Sequence, residues 1–204
     1  PGEHWAGMPD PMSSPPWFNV VVAPGSHLLI VNPGEGTAQE VLLGDSWTDT
    51  EAFAGVEDTL DDANSAYITT GDSSCIDPAS LLESQATPEQ IAQIQHDLPV
   101  DPAQLHRFET SVLASAGGPA ELTMAADMFY SAEQDAAADE ELRTRLVEEG
   151  SSLVTRELFS GIISVAGSEV DGSRLHLDFE VIDPRRIFAM VGGRDLPWLL
   201  CDGG

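Results

Sequence analysis

Ser46 is the residue best placed by sequence to do covalent chemistry. It lies in Val41-Leu42-Leu43-Gly44-Asp45-Ser46-Trp47-Thr48-Asp49-Thr50, where an apolar run ends in a Gly-Asp-Ser turn. A serine at such a turn acts as a nucleophile only with a base beside it. The five histidines, His4, His27, His96, His106 and His176, are spread along the chain. None shows the i, i+4 pairing that puts two imidazoles on one helix face, and no Cys/His ligand spacing occurs, so no structural zinc is expected. Cys75 and Cys201 lie too far apart for a Cys-x-x-Cys pair. They read as one disulfide or two thiols, and the bridge is favoured, tying a mid-chain loop to the last strand. Arg185, Arg186 and Arg194 crowd the C-terminal region, where an anion or the neighbouring Asp183 and Asp195 would pair with them. Gly34-Glu35-Gly36 and Gly192-Gly193 lack the remaining features of a phosphate loop. No cofactor and no metal are expected, and the acids between 45 and 74 lack the order of a calcium loop.

The segment around Ser46 resembles the first block of the GDSL (SGNH) hydrolases, where a strand delivers a Gly-Asp-Ser turn. That resemblance implies Ser46 as nucleophile of ester hydrolysis, with its own backbone N–H helping to hold the oxyanion. It covers about ten of the 204 residues. The chain has no Gly-x-Asn-Asp block and no Asp-x-x-His near its end to supply the base; Asp171 and His176 are five apart within an expected hairpin.

Stepping outward, these residues need elements to hold them. Residues 1–16 carry five prolines and read as an extended arm. Two apolar runs within Trp17–Asn32 flank Ala23-Pro24-Gly25-Ser26 and predict a β-hairpin, with a third strand over Gln39–Leu43. Phe53, Val56 and Leu60 share helical spacing, with Glu57, Asp58, Asp61 and Asp62 outward. Asp77-Pro78 and Asp101-Pro102 pair an N-cap with an N1 proline, and Thr87-Pro88-Glu89-Gln90 is a capping box. Leu105, Phe108, Val112 and Leu113 predict a helix ended by Gly117-Gly118, and Leu122, Ala125, Ala126 and Phe129 another. A longer helix is expected from 132 to 159, interrupted near Gly150, with Leu142, Leu146 and Val147 inward and its acids outward. Asp171-Gly172 between 161–170 and 174–182 is a strong hairpin signal, followed by a strand pair over 187–191 and 198–201.

Strands at both ends with helices between them predict an α+β fold, an antiparallel sheet of N- and C-terminal hairpins packed on a central helical section. One domain over 17–204 is expected. The chain has 35 acidic residues, 8 arginines and no lysine, for a charge of −27. Residues 1–106 carry 17 acids and no Lys or Arg, whereas 107–204 carry 18 acids and every Arg. Such a surface repels nucleic acid and suits a basic partner, and no apolar run is long enough to span a membrane. The function expected is a non-catalytic accessory or binding domain of a bacterial protein, secreted or anchored outside the cytoplasm, binding through a groove between helices and sheet. The alternatives are the Ser46 hydrolase and an acidic decoy that docks a basic protein through residues 45–72.

Overall fold

The computed structural model describes residues 3–6, 19–23, 28–32, 56, 60, 63–83, 86–117 and 122–201. Contacts divide the chain into two units, Pro1–Thr50 and Glu51–Gly204. In the first, β1 (Glu3–Ala6), β2 (Asn19–Ala23) and β3 (Leu28–Asn32) form an antiparallel sheet in the order β1-β2-β3. The expected hairpin is therefore present as β2 and β3, with Val20 opposite Val31 and Val22 opposite Leu29. Gln39–Leu43 lies outside the described residues, and so does Ser46.

The second unit is built on a five-stranded antiparallel sheet, β4 (Ser65–Thr70), β5 (Thr110–Ala116), β6 (Thr123–Phe129), β7 (Ile163–Asp171) and β8 (Arg174–Val181), ordered β4-β5-β6-β8-β7. With helices α1 (Pro78–Leu82), α2 (Pro88–His96), α3 (Glu133–Glu149) and α4 (Pro184–Gly193), this is an α+β fold. Its composition differs from the expected single sheet of terminal hairpins, because the strands fall into two sheets and the larger is made from the middle and C-terminal chain. Helix α3 packs on β7 and β8, and the core gathers Met124, Ala126 and Met128 from β6 and Leu175, Leu177 and Phe179 from β8. The i, i+2 spacing of those six residues puts them on one face of the sheet.

Two expected helices are strands. The segment 105–113 has its apolar residues at helical spacing, but Leu105 and Phe108 are buried in the approach to β5, not on a helix. Thr110–Ser115 is buried on both faces, so the alternation that marks a half-exposed strand is absent. The segment 122–129 is rich in Ala and Met, good helix formers, yet pairing with β5 and β8 overrides that preference. Gly117, at φ 83°, leads from β5 toward β6 and ends no helix. Asp101 does cap Ala103 N–H, but only a 3₁₀ turn, Pro102–Gln104, follows.

The third long helix ends at Glu149, at the interruption expected near Gly150. Its inner face carries Ala136, Leu146 and Val147 together with Asp139 and Arg143, so its acids are not all outward. The expected strand over 187–191 is helix α4: Asp183 accepts from the N–H groups of Arg185 and Arg186, Pro184 fills the first turn, and Ile187 and Met190 point inward. Trp198 belongs to a 3₁₀ turn, Pro197–Leu199, and not to a strand. The expected hairpin forms, but Asp171 closes β7 opposite Arg174 and the two turn residues are Gly172 and Ser173, with Gly172 at φ 57°.

Candidate functional site

Cys75 and Cys201 are bonded, with α-carbons 5.9 Å apart. Beside the bridge, Ile76 N–H donates to Leu199 O at 2.7 Å and Cys201 N–H to Ile76 O at 3.0 Å. The C-terminal segment is held a second time by Arg143 of α3, whose Nη1 donates to Trp198 O at 2.6 Å and to Leu200 O at 2.9 Å. Its Nε reaches Tyr130 Oη at 2.7 Å, and Nη2 reaches His106 O at 2.9 Å and Asp139 Oδ2 at 2.6 Å. Every guanidinium N–H has an acceptor, and the Phe108 ring lies 4.9 Å below the charge.

Asp139, wholly buried, completes this network. It accepts from Tyr130 Oη at 3.0 Å, from His106 N–H at 3.2 Å and pairs with His106 Nδ1 at 2.8 Å. Burial raises the Tyr130 phenol, which stays a neutral donor. His106 presents its other nitrogen toward Asp135, at 3.7 Å. The spacing of Asp135, Asp139 and Arg143 was readable as one helix face, but charged residues at those positions ordinarily mark the solvent side.

A second carboxylate–imidazole pair lies on the sheet face opposite the core. His176 Nδ1 is 2.8 Å from Asp127 Oδ1 and Nε2 is 3.1 Å from Asp178 Oδ1, while Arg174 Nε donates to Asp127 at 2.6 Å. His176 points away from Leu175 and Leu177. The hydrogen bond to Asp127 is the main cause that raises the imidazole above its ordinary value; burial opposes it. Among the described residues, neither His106 nor His176 hydrogen-bonds to a serine, threonine or cysteine, and no group of three metal-ligating side chains gathers. His96 is exposed at the end of α2.

The remaining arrangement is a surface. Asp195 accepts from Ser152 Oγ, from Leu153 N–H at 2.9 Å and from Val154 N–H at 3.3 Å, and Ser152 Oγ accepts from Thr155 N–H at 2.7 Å. These bonds fix the loop 151–158 beside α4, while Arg156 takes a left-handed φ of 64°. Glu157 on the loop pairs with Arg186 on α4 at 3.2 Å. Between the loop and helices α1 and α2 lies a groove of about 350 Å³, lined by apolar Leu82, Ile94 and Val154 and by polar Gln90, Gln93 and Arg156. Sequence reasoning paired Asp195 with arginine; its grip on the loop uses three donors, two of them backbone N–H groups, and leaves no residue-type pattern. Arg194 instead donates to Ser73 O at 2.5 Å.

No family model matches the chain, and no curated protein or solved structure matches it either. No helix among the described residues is long and apolar enough to cross a membrane.

Proposed function

We propose that this protein is a non-catalytic binding domain working outside the cytoplasm, and that it binds through the groove bounded by α1, α2 and the 151–158 loop. One observation carries the reading: Val154 and Leu158, bulky and apolar, are 42% and 62% exposed on a loop whose backbone Asp195 holds in place. Apolar side chains left in water on a fixed loop cost free energy that folding does not recover, and a partner that covers them recovers it. The bonded Cys75–Cys201 pair supports the compartment, since such bridges persist where the surroundings are oxidising. The network of His106 with the buried Asp139 and Arg143 supports the non-catalytic part, because the hydrogen bonds of Arg143 are used in tying the backbone of Trp198, Leu200 and His106 together.

Photo-crosslinking in the native host tests this. A benzophenone amino acid at position 154 should give a discrete adduct, and the same group at Glu141, exposed on α3, should give none. No adduct from 154, or equal labelling from both positions, would contradict the proposal.

A further inference from the structure

The arginines divide unevenly. On a chain with 35 acids and 8 arginines, nearly every guanidinium is expected to find a carboxylate. Arg107, Arg143, Arg145, Arg174 and Arg186 do, with Asp72, Asp139, Glu149, Asp127 and Glu157 respectively. Arg156 and Arg185 are exposed and have no carboxylate partner among the described residues. Both sit where the exposed apolar side chains are concentrated. Of the five large hydrophobics exposed among the described residues, four lie in these two segments: Val154 and Leu158 on the loop, Ile182 and Phe188 at 51% and 52% on and before α4. Arg185 is also placed against its helix, since a cation in the first turn faces the positive end of the macrodipole. A local rule broken where the surface is already costly points to a partner.

Resting on the proposed binding role, we infer that the face formed by the 151–158 loop and α4 receives an acidic polypeptide segment carrying bulky apolar side chains. The apolar residues cover Leu158 and Ile182 and enter the groove beside Val154. Carboxylates take Arg156 and Arg185 in charge-assisted, two-pronged hydrogen bonds. A peptide is favoured over an anionic bilayer by the charge of −27. A bilayer is an extended plane that brings the surrounding acids against it, whereas a narrow segment meets the patch alone, with acids beyond about 8 Å screened at physiological salt.

The test is selection of phage-displayed random dodecapeptides on the immobilised full chain. The expected consensus combines Asp or Glu with Phe, Leu, Ile or Met, and the affinity of a synthetic consensus peptide should fall about tenfold or more in Arg156→Gln/Arg185→Gln. Leu158→Ser should weaken it separately, and Arg107→Gln should leave it unchanged. Matching thermal melts show that the variants remain folded. A consensus without acids that still depends on Val154 would overturn the acidic partner while leaving the groove as a binding site. Absence of any consensus would overturn both. Sedimentation with phosphatidylglycerol vesicles that depends on Arg185 would replace the peptide by a lipid surface.

Discussion

At the residue scale, the buried charges explain more of the fold than the exposed ones. Arg143 and Asp139 are both wholly buried, so removing either leaves the other desolvated and unpaired. Arg143→Met should cost about 3–5 kcal/mol in urea unfolding. The double change Arg143→Met/Asp139→Leu should recover a large part, because no orphan charge then remains; a double variant as unstable as the single would contradict that account. His176 makes a second, pH-dependent prediction. Its folded pKa is raised, so its stabilising contribution is full below the unfolded value of 6.5 and is lost as pH rises through the folded pKa. Comparing wild type with His176→Gln at about pH 5.5 and about pH 8.5, the stability gap should be larger at the acid end. Equal gaps would show that Asp127 and Asp178 do not hold the protonated ring. Ser46 is tested directly: a fluorophosphonate probe should leave the protein unlabelled, and labelling abolished by Ser46→Ala would restore the hydrolase reading.

At the element scale, legibility followed how local the determining interaction is. The capping box is read directly from Thr87 and Gln90, and it forms: Thr87 N–H donates to Gln90 Oε1 at 2.8 Å. The β7–β8 hairpin is legible for the same reason, since its turn needs a residue tolerant of positive φ and Gly172 supplies it. Gly172→Ala meets no neighbouring atom, so its cost is backbone strain alone, about 1 kcal/mol by thermal unfolding. β5 and β6 pair with each other across a short connection, but they were not legible because the strands that flank them, β4 and β8, lie far along the chain. Asp127 is paired with Arg174 and His176 some fifty residues away, and nothing near it in sequence announces a strand. The Asp-Pro signal of Asp183-Pro184 was present, but the apolar run from Ile187 to Val191 imitates a strand until its inward residues are known.

For the whole molecule, the C-terminal segment is the closure of the Glu51–Gly204 unit, bound by the disulfide, by the backbone of Ile76 and by Arg143. The bridge spans 126 residues, and reducing it should lower stability by about 3–5 kcal/mol on the loop-entropy model. The acid excess acts separately. At −27 the folded chain repels itself, so moving from about 0.1 M to about 1 M salt, where the screening length falls from roughly 10 Å to roughly 3 Å, should raise the melting temperature. A melting temperature indifferent to salt would show that the charges are too widely spaced to matter.

The binding role depends on the 151–158 loop being a built surface, so amide hydrogen exchange on the unbound protein is its most direct test. Val154 is exposed, yet its N–H and that of Leu153 are given to Asp195, and both should exchange far more slowly than an open loop. Asp195→Asn should release them while Leu113 and Leu177 stay protected. Exchange of Leu153 and Val154 at open-loop rates in the wild type would contradict the account, because a loop free to fold its apolar side chains inward has no standing need of a partner.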